Sequence, residues 1–192
     1  VNGGGQHTVT LKNSKAKRIV LNKTASPVRV LLSGTTTVSA VQVLSDGQVD
    51  NETTNAIGSL SIDGAGNRTV GLSGSFGQLH VNAPVSLNIG VSTIAGLTVS
   101  QTGGGTIALG SGAKVGEFTA NAGVSVTGEG VISSAVINAP GVSLAQTPGS
   151  LTVNADQATV GGKTVKKGET VTVGGGGSGG GGGAASGSGN QP

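Results

Sequence analysis

Glu117 and Glu129 are the residues best suited by type to cut a glycosidic bond, because sugar hydrolysis uses two carboxyl groups flanking the scissile link. Sugar-cleaving grooves also present aromatic platforms, and this chain has two Phe and no Trp or Tyr. Val160-Gly-Gly-Lys-Thr164 looks like part of a phosphate loop. The full motif needs a glycine five residues before Gly162, where Gln157 stands, and no helix follows to aim its dipole at phosphate. A Gly-Gly turn between two strands accounts for it. Ile62-Asp-Gly-Ala-Gly-Asn67 is one incomplete copy of a calcium-binding repeat whose ligands act in stacked copies, so a solvated turn is the expectation. Asp46, Asp50 and Glu52 form the other acidic cluster, in a stretch expected to be an extended loop. Of the two histidines, His7 and His80, the second lies between Leu79 and Val81 on an alternating run and should point outward. No Gly-x-Ser-x-Gly elbow with an adjacent acid and base is visible. Zero cysteine excludes disulfides, thiolate metal sites and thiol nucleophiles. The reading is a non-enzyme with no catalytic, metal or cofactor site. Three Asn-x-Thr triplets, at Asn22, Asn51 and Asn67, fit the glycan acceptor pattern, which chance produces readily in Asn/Thr-rich sequence.

The charge balance is +3 and uneven. Lys12, Lys15, Lys17, Arg18, Lys23 and Arg29 crowd the start, and Lys163, Lys166 and Lys167 stand near the end. Nucleic-acid grooves pair such charge with aromatic stacking platforms, which cannot be built here, so no nucleic acid is expected. A solvated basic end is the plain reading. Lys12, Lys15, Lys17 and Arg18 are the candidate contact for an anionic cell-wall polymer. No apolar run reaches membrane-spanning length, so no membrane insertion is expected. The absence of Cys and a start at Val1 fit a processed extracellular chain.

The elements that must position these residues are read from repetition. Short apolar–polar phrases recur with anchors at Ile19, Val41, Leu60, Leu79, Leu97, Phe118, Ala135 and Leu151, spaced 16 to 22 residues, about 19 on average. A second series precedes them: Val28–Val30, Val70–Leu72, Leu87–Ile89, Ile107–Leu109, Val124–Val126 and Val142–Leu144. Alternation at period 2 turns one face in and one out. Gly and Asn-Ala corners interrupt the runs, and no helical period with caps appears. One phrase cannot bury its own apolar face, but phrases stacked on one another can. The expectation is an all-β, single-domain parallel β-solenoid of about eight coils over residues 1–173, with a Gly/Ser-rich flexible tail or linker over 174–192. At ~4.8 Å per coil the rod is roughly 40 Å long. An antiparallel sandwich also spaces strands every 8–12 residues. It has no reason to repeat a corner such as Asn82-Ala83, Asn121-Ala122, Asn138-Ala139 and Asn154-Ala155, whereas a solenoid stacks these asparagines into a ladder. Phe76 and Phe118 are expected to plug wide spots or cover an end. Unequal loops are expected at Ser45–Ala56 and Thr102–Gly105.

In Val124–Val165, Gly128, Gly130, Ile132, Ala135, Ile137, Asn138, Ala139, Gly141, Val142 and Pro148 follow one pattern. It resembles the Val/Gly/Asn-rich repeat regions of Gram-positive cell-surface proteins that also carry S-layer-homology modules. The close match covers about 40 residues, with looser echoes over most of the chain, and the S-layer-homology module itself is not part of it. The resemblance implies an extracellular, cell-envelope setting and transfers no catalytic residue. The expected function is a structural spacer, a stiff rod of a surface protein or fibre that self-associates end to end. The alternative is an adhesin or glycan-binding module using the Ser45–Ala56 loop or the basic N-terminal coils.

Overall fold

The computed structural model describes residues 8–23 and 25–169. His7 and the tail beyond residue 173 therefore lie outside the described residues. Among the described residues all regular structure is β. The chain climbs in coils of two strands each. β1 (Thr8–Lys12) and β2 (Lys15–Leu21) make the first, β3 (Val28–Ser33) and β4 (Thr37–Val43) the second, and β5 (Gly47–Asn51) and β6 (Ile57–Ile62) the third. In the next two coils the strands fuse across the corner as β7 (Arg68–Val81) and β8 (Pro84–Val99). Above them stand β9 (Gly104–Leu109) with β10 (Lys114–Ala120), β11 (Val124–Gly128) with β12 (Val131–Ile137), and β13 (Ser143–Leu144) with β14 (Ser150–Val153). β15 (Gln157–Val160) begins one more turn, and β16 (Lys163–Lys166) folds back beside it.

Every coil-to-coil pairing is parallel, in two ladders. One runs β1-β3-β5-β7-β8-β9-β11-β13-β15, the other β2-β4-β6-β7-β8-β10-β12-β14. The chain is thus a parallel β-solenoid of about eight turns.

The phrase anchors prove to be one column. Ile19, Val41, Leu60, Leu79, Leu97, Phe118, Ala135 and Leu151 stand directly above one another along the second ladder. All are buried. On the first ladder the parallel column is Val28, Gly47, Val70, Leu87, Ile107, Val126, Leu144 and Val160. The second series therefore slips in its last members. Val126, not Val124, stands over Ile107, because this coil takes 19 residues and Val124 falls over Gly105.

Neither phenylalanine caps an end. Phe76 lies between Ile57 and Ile94, and Phe118 between Leu97 and Ala135, both fully buried in mid-rod. The small Ala135 beside the large Phe118 keeps the packed volume even, as dense cores require.

A second column decides the coil's shape. Two residues before each anchor, hydrogen-bonded pairing skips a position occupied by Lys17, Ser39, Gly58, Gly77, Ala95, Gly116, Ser133 and Gly149. There the strand bends. A Cβ on Gly77 would sit 2.5 Å from the carbonyl oxygen of Gly58 in the coil below. Small residues let the backbone approach this closely, and the bend turns the coil around a narrow core.

The expected loop Ser45–Ala56 needs correction. Gly47–Asn51 is β5, a regular rung paired on both sides, and irregular backbone is confined to its flanks. Alternation in Gly47-Gln-Val-Asp-Asn51 is carried by Val49 alone, so the strand is hard to see before its neighbours are known. At Thr102–Gly105, likewise, Gly104 already belongs to β9.

Candidate functional site

The outward face of the first ladder holds a groove of about 860 Å³ across coils two to five. Side chains of successive coils stand in register there. Arg29, Gln48, Gly71 and Asn88 form one outward column, and Leu31, Asp50 and Ser73 the next. Gly71 and Gly90 leave the floor without side chains, and Asp46, Glu52 and Thr69 line the groove with them.

Asp50 is the fixed point. Its side chain is 4% exposed, against 45% for its ion-pair partner Arg29. Arg29 Nε donates to Asp50 Oδ2. Ser73 Oγ donates to Oδ1 at 2.6 Å, and Gln48 Nε2 reaches both oxygens at 2.9 and 3.0 Å. Burial by itself would push the Asp50 carboxyl up. The hydrogen bonds from Ser73, Gln48 and Arg29, with the Arg29 charge, outweigh it and hold the group below its ordinary value. Asp50 is therefore a charged, saturated anchor rather than an acid or base waiting for substrate. It orients Gln48 and Arg29. The outer guanidinium nitrogens of Arg29 and the amide of Asn88 carry no hydrogen bond within the described residues, and they face solvent. Three carboxylates against one guanidinium leave the groove acidic. Such a surface suits hydroxyl-rich or amine-bearing ligands and disfavours polyanions.

The other sequence candidates lie elsewhere. Lys12, Lys15, Lys17 and Arg18 come together on the first coil, all exposed, at the N-terminal edge of the rod. Arg18 donates to Gln42 one coil above. Glu117 stands in the column of Gly96 and Ser134, while Glu129 sits at the corner after β11, its N–H on the Leu109 carbonyl. The two carboxylates share no column and no groove. His80 points outward between Ser61 and Thr98, as its buried neighbours Leu79 and Val81 require.

Asp63, in the calcium-like segment, is already served by protein donors. Ser61, Asn82 and Gln42 reach its carboxylate at 2.7, 2.8 and 3.0 Å, and Arg68 folds back on the Asp63 and Ala65 carbonyls. Among the described residues no group of three His, Cys, Asp or Glu is placed to hold a metal ion. Val160-Gly-Gly-Lys163 is a two-residue hairpin turn, with φ of 56° at Gly161 and 75° at Gly162. These values match the turn type that Gly-Gly favours between antiparallel strands. Among the described residues no helix is long and apolar enough to cross a membrane.

Sequence reading missed Arg29, Gln48, Ser73 and Asn88 as a group. The signal was present: each is a polar residue next to an inward position of a first-ladder strand. Which of them adjoin depends on coil register, which unequal coil lengths conceal.

No family model matches the chain. No curated protein matches it. Among solved structures, the chain is similar to chitinase ChiW from Paenibacillus sp. str. FPU-7, a bacterial cell-surface-expressed multi-modular enzyme machinery. The TM-score is 0.61 at 24% identity over 93% of this chain, and the chain spans 16% of the length of that one. At this identity the likeness is one of fold.

Proposed function

We propose that this chain is a rigid spacer module of an extracellular, multi-modular bacterial surface protein. One observation carries the reading: two parallel ladders run unbroken through about eight coils around a continuous aliphatic core. Each coil contacts its neighbours alone, so stiffness adds up along the axis. Small residues suffice to fill the bore, and the chain gains length cheaply. Similarity to one portion of a cell-surface enzyme of many modules supports the setting. The reading assigns no catalysis, since Glu117 and Glu129 stand apart and Asp50 is saturated.

The test uses the absence of native cysteine. Dyes on Thr10→Cys and Lys163→Cys, exposed positions near opposite ends, report end-to-end distance by single-molecule energy transfer. A rod gives one narrow distance below the unfolding transition. A broad distribution that shifts gradually with denaturant sinks the spacer reading.

The groove favours a second reading, a glycan-binding module. Amide and guanidinium groups held by Asp50 offer directional hydrogen bonds to sugar hydroxyls. Co-sedimentation with insoluble chitin and peptidoglycan tests it. Retention should fall with Arg29→Ala or Asn88→Ala and persist with Lys15→Glu. Failure of the unaltered chain to sediment with any polysaccharide removes this reading and leaves the first intact.

A further inference from the structure

Alternation breaks at the rim of the groove. β7 and β8 pair Leu72 with Ile89 and Phe76 with Ile94, all four buried. β7 crosses that corner in four steps and β8 in five, so the register shifts between Leu72 and Gly74, and Ser73 is opposed by both Gly90 and Val91. This is a β-bulge, one extra residue in one strand of a pair.

The bulge inverts two side chains. Continued from Leu87 and Ile89, alternation would turn Val91 inward and Ser92 outward. Instead Val91 is 77% exposed and Ser92 is 3% exposed. Ser92 Oγ has no hydrogen-bond partner among the described residues. A valine left in water and a buried hydroxyl left unpaired both oppose folding. Bulges that re-aim a side chain recur beside binding sites, and here the re-aimed residue is Val91. Ser73 and Gly90 line the groove, and Val91 follows Gly90 at its lip. A Cβ on Gly112, one coil above, would lie 3.0 Å from a Val91 methyl carbon, so glycine there leaves the valine room to lie outward.

We propose that Val91 is the apolar platform of the groove and that the occupant is an uncharged pyranoside chain, an inference that rests on the glycan-binding reading. A pyranose ring has a C–H face and an edge of hydroxyls. Val91 meets the face, and the Arg29 guanidinium and the Asn88 amide meet the edge. No aromatic side chain takes the platform role, because Phe76 and Phe118 are both buried in the core. Asp46, Asp50 and Glu52 oppose an anionic polysaccharide. A purely aliphatic ligand would cover Val91 but strip water from Arg29 and Asn88 without replacing their hydrogen bonds.

The experiment titrates the full chain with β-linked hexamers of N-acetylglucosamine, glucose and xylose, and with a galacturonate hexamer as the anionic comparator, by calorimetry. The best neutral hexamer is expected to bind about tenfold or more above the galacturonate. Val91→Ser should weaken that binding about fivefold with its unfolding midpoint unchanged. Val131→Ser, at a valine 57% exposed and outside the groove, should bind as the unaltered chain does. The Val91 methyl resonances should shift on titration. Full binding by Val91→Ser together with loss in Arg29→Ala overturns the platform and keeps the glycan reading. Galacturonate binding equal to that of the neutral hexamers overturns the choice of an uncharged sugar. Binding of no hexamer removes the glycan reading and this proposal together.

Discussion

Asn138 Nδ2 lies 2.8 Å from Asn121 Oδ1, although the two residues are seventeen apart in the chain. They are neighbours because one coil rests on the other. Asn154 continues the series, donating to Asn138 Oδ1 at 2.7 Å. Asn82 does not join it. Its amide donates to Asp63, and Ser100 occupies the corner between Asn82 and Asn121.

Asn138→Ala removes one donated and one accepted bond at an exposed corner. With net values near 1 kcal/mol for a typical hydrogen bond, less at the surface, the expected loss is about 1 kcal/mol. Urea denaturation followed by circular dichroism measures it. Asn82→Ala should cost about as much through Asp63, and the pair Asn82→Ala, Asn138→Ala should be additive because the two sites share no partner.

Gly77→Val places side-chain carbon within 2.5 Å of the Gly58 carbonyl, where neither backbone can retreat without moving a rung. Overpacking of this kind costs about 1–3 kcal/mol. Ala95→Gly, one coil above, relieves nothing and should cost at most about 1 kcal/mol from backbone entropy. Comparison of their denaturation midpoints tests the bend column. Equal effects would show that the close approach is not limiting.

Phe118→Ala empties the largest side-chain volume in the anchor column next to Ala135, which is too small to fill it. Buried phenylalanine truncations cost about 3–5 kcal/mol. Phe118→Leu matches the rest of the column and should recover most of the loss. Thermal unfolding monitored by circular dichroism ranks the three proteins.

Acid should weaken the rod from two known points. Asp50 and Asp63 both titrate below the ordinary value of 3.8. For Asp63, too, burial raises the value and is outweighed, here by hydrogen bonds from Ser61, Asn82 and Gln42. A carboxylate depressed in the folded state contributes stability that is complete above its unfolded pKa and is lost as pH falls through the folded one. Stability should therefore be flat from neutrality to about pH 5 and decline below about pH 4. Asp50→Asn should be less stable at pH 7 and show a shallower acid decline. A decline of unchanged steepness in Asp50→Asn, Asp63→Asn would refute the assignment.

Much of the fold was legible because the core is a ladder. An inward aliphatic residue must recur once per coil, so the spacing of Ile19 to Leu151 carries the architecture. The bend column, small two positions before every anchor except Ile19, where Lys17 stands, acquires meaning only once a carbonyl is known to lie beneath it. The groove was not legible. Asp50 and Glu52 stood out as acids, yet Arg29, Gln48 and Asn88 are ordinary outward polar residues until register stacks them.

Period-2 alternation and repetition at about 19 residues pointed, unaided, to strands stacked in parallel, since one phrase cannot bury its own apolar face and a recurring Asn-Ala corner fits stacked coils rather than a sandwich. Tertiary structure alone decided which outward residues adjoin, that Asp50 is held charged by hydrogen bonds from its neighbours, and that β16 folds back as a hairpin over the last turn. The physical reason is range. Burial acts on every residue by its type and leaves a periodic trace. A hydrogen bond or ion pair acts between particular residues some twenty positions apart, and one change in coil length redirects it.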